Sequence, residues 1–317
     1  MSGQDEGGLP EEFLRYPRRG YGMDHDWYEW SMLHERAPVS WPGGEALALM
    51  LVVPLEWFPL DSSNKPFRPP GGMLTPYPDL RHYTSRDYGN RVGVVRLLDL
   101  FAELNVRATF AVNAEVARRY PELIDAVRSG RHEICAHGID MAHLHSGELP
   151  IETEREWIGR ALDMLREALD SPPRGWLSPG RSESANTLEL LAGAGLEYCL
   201  DWVNDDMPYP LLGGRLTAMP HSDELSDRQI ILDYRHTEES FVEQIGDAAR
   251  CLAAETGRFG GRILPLSVSP WVSGLPYRID YLRRALDGVL KAHSVWSAGA
   301  GEICRHWCGQ SGQGNAS

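Results

Sequence analysis

The chain is 317 residues long, 42% hydrophobic and 24% charged, which is enough apolar material for one large core or two modest ones. Its formal net charge is −14. A surface that acidic repels phosphate backbones and anionic headgroups, which excludes nucleic acid and membranes as expected partners and leaves a small-molecule substrate in a locally basic pocket.

In chain order, residues 1–44 are rich in Gly, Pro, charge and aromatic rings, among them Trp27-Tyr28-Glu29-Trp30, and read as an arm laid across the main domain. The opening stretch has neither the basic nor the apolar region of a signal peptide. Residues 46–54 are a continuous apolar run, as expected for a strand covered on both faces. A loop rich in Pro, Gly and Tyr is expected from Trp57 to Asp87, and loops of that length are usually functional. Val92, Val95, Leu98 and Phe101 then give helical spacing over 91–104. The pattern continues as strand 106–112, helix 114–129 with a break near Pro121, strand 133–136 and helix 151–169. Next come helix 187–194, strands 198–202 and 229–233, helix 240–255, strand 263–268 and helix 278–292. Strand-then-helix repetition implies an α/β fold of parallel strands joined by right-handed crossovers. Chemistry in such folds gathers at the carboxyl ends of the strands.

No apolar run approaches the roughly 20 residues that cross a bilayer. Cys135, Cys199, Cys251, Cys304 and Cys308 are odd in number and lack a framework spacing, which suits a reducing compartment, so the expected location is cytoplasmic. Cys304-Arg305-His306-Trp307-Cys308 lacks the second ligand pair of a zinc site.

The residues just past the apolar runs carry the chemistry. Glu56 follows the first strand between Leu55 and Trp57, where a partly desolvated carboxylate suits a general base; the plain alternative is a salt bridge to an arginine at the sheet rim. His137 follows 133–136 and precedes Gly138, placed to face a pocket as ligand, base or oxyanion donor. His143 and His145 come close behind. Trp176-Leu177-Ser178-Pro179-Gly180-Arg181 is a rigid turn carrying a cation. The run 201–206, with Asp201, Asp205 and Asp206, can orient a histidine, bind a cation or cap a helix. In 86–91, Asp87 or Asn90 reads as an N-cap, and the Arg91 fork suits planar oxygens. Asp87, Arg91, Trp57, Trp176, Trp202 and His236 are the expected substrate contacts; Glu56, His137, Asp201 and Arg181 are the expected catalytic set.

These stretches, in this order, resemble the NodB-homology or polysaccharide deacetylase family, and within it the branch of metal-independent allantoinases and related cyclic-amide hydrolases. The resemblance begins at Tyr16-Pro17-Arg18 and Gly20-Tyr21-Gly22, passes Trp41-Pro42-Gly43-Gly44, and is carried most specifically by residues 87–93, 108–113, 175–179 and 201–206. It implies an irregular (β/α) barrel of about seven parallel strands, occupying 45–300 between the arm of 1–44 and a C-terminal tail of 301–317. It also implies a homo-oligomer.

Sugar-deacetylating members hold a divalent metal with one carboxylate and two histidines four residues apart. Glu56 and His137 match the first two, but Met141 stands at the third position, and a thioether has little affinity for such ions. Ser269, in Ser267-Val268-Ser269-Pro270-Trp271, stands where many relatives carry a catalytic histidine; His221 and His236 are the residues able to replace it.

Three readings follow. In the favoured one the enzyme needs no metal: Glu56 activates water, His137 polarises the carbonyl or protonates the leaving nitrogen, and Arg181 helps to stabilise the oxyanion of a small cyclic amide, imide or ureide. In the second, His143 or His145 joins Glu56 and His137 around Zn2+ or another divalent metal in an N-deacetylase of a sugar or small acylated amine. In the third, the barrel binds a small molecule or carbohydrate without catalysis.

Overall fold

The computed structural model describes residues 25–60, 80–169 and 171–311. Tyr16–Arg18 and Gly20–Gly22 of the resemblance, and residues 61–79 of the expected loop, lie outside them. The strands are β1 (Leu47–Leu55), β2 (Thr109–Val112), β3 (Glu133–Ala136), β4 (Gly175–Trp176), β5 (Tyr198–Cys199), β6 (Tyr209–Leu211), β7 (Leu216–Ala218), β8 (Arg262–Ser267) and β9 (Val295–Ser297). They form one curled sheet in the order β6-β7-β5-β4-β3-β2-β1-β8, with β9 beside the start of β1. Every pairing is parallel except β6 with β7. The alternation's expectation of an α/β fold of parallel strands is met; among the described residues the sheet curls into a half-barrel of nine strands with one antiparallel pair, where the resemblance implies about seven parallel ones.

The helices are α1 (Leu80–Tyr88), α2 (Val94–Glu103), α3 (Ala114–Arg119), α4 (Pro121–Ser129), α5 (Ile151–Ala168), α6 (Thr187–Gly193), α7 (Glu238–Phe259), α8 (Pro270–Ser273), α9 (Ile279–Ala292) and α10 (Ala300–Ser311). The break at Pro121 is present, with the proline in the first turn of α4, where its missing N–H leaves no bond unmade.

All nine residues of β1 are buried, and alternation divides them between two cores. Leu47, Leu49, Leu51, Val53 and Leu55 face the outer layer under the helices. Ala48, Met50 and Val52 face the barrel interior, with Ala111, Cys135, Leu177, Tyr198 and Met219. The interior is stopped at its amino end by α10, whose Ile303, Cys304 and Trp307 join that inner core. Ala300 N–H donates to Thr109 Oγ1 at 2.7 Å, and Gly301 N–H donates to Glu133 Oε2 at 2.9 Å. The helix therefore places its amide-rich N-terminus on a carboxylate at the start of β3. The described part of the expected C-terminal tail of 301–317 is therefore helical and packed on the inner core.

Several stretches differ from the sequence-based expectation. Residues 80–88 are helical instead of loop, and run through a π-helical turn (Gly89–Gly93) into α2. This turn lies backbone-to-backbone on α8: a Cβ on Gly93 would stand 2.0 Å from the Pro270 carbonyl oxygen, and one on Gly89 2.8 Å from Trp271 N. The glycines of 87–93 are there for this approach. Residues 229–233, expected as a strand, lie in a second π-helical turn (Arg228–Asp233). Ile230 and Ile231 are adjacent and both buried, whereas a strand would send them to opposite faces. Closure between β7 and β8 is left to a single bridge, Ser226 with Ser267. Finally, β4, β6, β7 and β9 have two or three residues each, too few for a periodic signal.

Candidate active site

Alternation continues past the strand ends and selects what reaches the barrel mouth. Two residues beyond inward-facing Ala111 and Cys135 come Asn113 and His137. Glu56 lies in phase with Met50 and Val52, and His221 two residues beyond Met219. All four are buried.

Glu56 meets the arginine of its plainer reading: Arg228 Nη1 lies 3.3 Å from Oε1. Oε2 is buried and has no hydrogen-bond partner among the described residues. His137 is fixed by its other nitrogen. Nδ1 lies 2.7 Å from the Leu177 carbonyl oxygen, which can only accept, so Nδ1 carries the proton and Nε2 presents a lone pair. Nε2 too is buried and has no partner among the described residues. Burial pulls the His137 pKa below its ordinary value, with the Glu56 charge opposing, so the imidazole is neutral. Gly138 follows with φ +67°, and a Cβ there would meet Pro179 Cγ at 2.4 Å.

Asn113 joins these two groups. Its Oδ1 accepts from Trp57 N–H at 2.8 Å and its Nδ2 donates to the His137 carbonyl. Asn90 Nδ2 donates to the Glu56 carbonyl at 3.0 Å. Neither asparagine had been given a role in the site, although Asn113 obeys the strand-end rule that singled out Glu56 and His137. Beside Glu56 a cleft large enough for about one water molecule is lined by Glu56, Trp57, Tyr83, Arg86, Asp87 and Asn90. Trp57 and Asp87 therefore border the site.

Other expected residues are placed differently. Asp201 holds the turn after β4: Oδ1 accepts from Ser178 N–H at 2.7 Å, and Oδ2 from Ser178 Oγ at 2.8 Å. Both oxygens are engaged, which makes it a positioning residue. Arg181 is spent on neighbours: Nη1 on the carbonyls of Leu200 and His221, Nη2 on His221 Nδ1 at 2.7 Å and Asp223 at 3.0 Å. Its terminal nitrogens are not free to hold an oxyanion. The Arg91 side chain is 73% exposed and lies 3.8 Å from Asp87. Trp176 is in the outer core, with its indole N–H on Ser178 Oγ. Trp202 meets Trp27 and Tyr28 of the arm edge-on. His236 is exposed, 3.2 Å from Gln244. His143 turns to Asp140 at 2.6 Å, and His145 to the buried Glu154 at 3.0 Å.

Ser269 is the N-cap residue of α8. Its N–H donates to Asp227 Oδ2 at 2.8 Å, which also accepts from Ser273 N–H and Oγ. Burial pushes the Asp227 pKa up to about 6.

Residues 78–199 match the model of the polysaccharide deacetylase family. The chain carries a polysaccharide deacetylase domain. A Schizosaccharomyces pombe protein provisionally named a polysaccharide deacetylase is 24% identical over 299 residues, 84% of this chain and 92% of its own length. Among solved structures, PuuE allantoinase superposes with a TM-score of 0.77 at 26% identity, over 93% of this chain and 98% of that one. A probable polysaccharide deacetylase from Pseudomonas aeruginosa PAO1 gives 0.74 at 27% identity, over 93% and 99%. The domain is thereby a hydrolase of this family, acting on carbon–nitrogen bonds. Its residues do not fit the metal set that the resemblance implies. Among the described residues one group of three brings its ligand atoms within 4.8 Å of one another, Glu183, Cys199 and Asp201; it contains neither Glu56 nor His137. His143 is tied to Asp140, and Met141 offers only a thioether.

Proposed function

We propose that this domain hydrolyses the C–N bond of a small cyclic amide, imide or ureide by acid–base chemistry of its own side chains. One observation carries the reading: two buried acceptors, Glu56 Oε2 and His137 Nε2, follow inward-phased strand positions and have no donor among the described residues. A water between them would give one hydrogen to each and turn a lone pair toward a carbonyl carbon. With Nε2 bare, the neutral His137 begins as a base and can protonate the leaving nitrogen only after it has taken a proton from the water. As the water oxygen bonds to the carbonyl carbon, its proton passes to the Glu56–His137 pair. The same proton then goes to the ring nitrogen as the C–N bond breaks, so the ring opens to a carboxylic acid and an amine or amide N–H. Cyclic imides and ureides suit this because their nitrogen leaves more readily than that of a plain amide. The close superposition on an allantoinase favours the same substrate class.

The test is ring opening of allantoin, hydantoin and succinimide by the purified protein and by Glu56→Gln. Turnover by the wild type and a roughly 10²–10⁴-fold lower rate in the variant are expected. No turnover of the three, or an undiminished variant, would overturn the reading.

A further inference from the structure

We propose that His221 is the hydrogen-bond donor that holds the substrate carbonyl oxygen as it becomes an oxyanion, with Arg181 fixing the imidazole in the Nε2–H form. The inference rests on the reaction proposed above and supplies the electrophilic half that Glu56 and His137 lack, since both present only acceptors.

Position comes first. The parallel ladder beside β7 runs on past its last residue: Thr217 N–H donates to Glu197 O at 3.0 Å, Met219 N–H to Cys199 O at 2.8 Å and His221 N–H to Trp202 O at 3.1 Å. His221 therefore keeps the inward phase of Thr217 and Met219, at the same carboxyl edge as Glu56 and His137. It is completely buried.

The tautomer comes second. Arg181 Nη2 lies 2.7 Å from His221 Nδ1. A guanidinium has hydrogens to give and no lone pair to offer, so Nδ1 must accept and the ring proton sits on Nε2. That Nε2–H is buried with no partner among the described residues, a costly state for a donor unless something else takes the bond. Burial and the Arg181 charge hold the ring neutral by pushing its pKa well below the ordinary value. A neutral imidazole N–H can polarise a carbonyl without transferring its proton, and the cation behind it strengthens the donor. His137 is its mirror image: a carbonyl on Nδ1 leaves Nε2 bare, whereas an arginine on Nδ1 leaves Nε2 protonated. Trp271 also carries a buried indole N–H without a partner among the described residues, but the Arg86 guanidinium lies over the face of its ring at 4.5 Å and sets no tautomer there.

Nitrogen-15 NMR of the imidazoles, without substrate, reads the tautomer directly. The expected spectrum has a protonated Nε2 and a bare Nδ1 at His221; the opposite assignment overturns the proposal whatever the enzyme hydrolyses. Saturation with succinimide should shift the His221 Nε2 signal even if the ring is not opened, and an unmoved signal also overturns it. In turnover, His221→Leu should lose about 10²–10³-fold in kcat with KM little changed, and His221→Gln, which can place an amide N–H near the same point, should recover most of that loss. Equal loss in both variants, or an effect on KM alone, would make the residue structural. Failure of the wild type to open any ring removes the hydrolase reading, while the two NMR results still decide whether His221 is a donor that meets a carbonyl.

Discussion

Asn113 Nδ2 donates to the main-chain carbonyl of His137, while its Oδ1 holds Trp57 N–H at 2.8 Å. One fully buried amide thus sets the distance between the carboxylate following β1 and the imidazole following β3. Asn113→Ala would strand a buried N–H and a buried carbonyl, each costing about 1–3 kcal/mol. Urea unfolding should show a loss of about 2–5 kcal/mol by the same reckoning, and kcat should fall more than KM rises. An unfolding midpoint equal to that of the wild type would mean that water replaces both bonds.

Metal content is a separate question, and the donor set predicts its answer. With Met141 in the place of a histidine and His143 held by Asp140 at 2.6 Å, protein purified without chelator should carry far less than one zinc per chain. Dialysis against zinc should not raise that ratio, and chelation should leave ring-opening activity unchanged. Stoichiometric zinc, lost together with activity on chelation, would return the domain to the metal-dependent N-deacetylase reading.

Acid should weaken the fold through its neutral histidines. His132 has its pKa lowered from 6.5 to about 4, first by burial and then by Arg107. Between those two values the unfolded chain binds a proton that the folded chain refuses, so the stability contributed by this residue is complete above pH 6.5 and declines as pH falls toward 4. Nδ1 of His132 accepts from Ala108 N–H at 3.2 Å, and an asparagine oxygen can take that bond. His132→Asn should therefore show a smaller drop in urea midpoint between pH 7 and pH 5 than the wild type. An identical drop would locate the acid sensitivity elsewhere.

Two glycines should respond in opposite directions. A Cβ at Gly93 meets the Pro270 carbonyl oxygen at 2.0 Å, whereas nothing lies within 4 Å of one at Gly288. Gly93→Ala must part the π-helical turn from α8 and should cost about 1–3 kcal/mol or more. Because Ser269 and Trp271 flank that contact, activity should fall with it. Gly288→Ala, on an exposed position within α9, should stabilise by about 0.5–1 kcal/mol. Thermal unfolding of the pair checks both signs.

The apolar run of β1, the long amphipathic stretches of α5, α7 and α9, and the strand-end positions of Glu56 and His137 were legible in the sequence because each is a local pattern with a period or a boundary. Met141 and Ser269, at positions where the resemblance implies histidines, were legible in the same direct way. The sequence could not show β4, β6, β7 and β9, whose two or three residues hold their conformation through neighbouring strands and not through propensity. Nor could it place 228–233, where β-branched residues that favour a strand are wound into a turn so that Ile230 and Ile231 can both be buried.

Side-chain roles depended still more on the fold. Asp201 lies just past β5 as Glu56 lies just past β1, and Arg181 closes the turn after β4, yet the first is spent on Ser178 and the second on His221. Which nitrogen of His137 or His221 carries its proton is decided by Leu177, 40 residues further along the chain, and by Arg181, 40 residues back. A sequence names the titratable groups at the mouth of the barrel. Only the folded chain brings a carbonyl to one imidazole and a guanidinium to the other, and so makes one an acceptor and the other a donor.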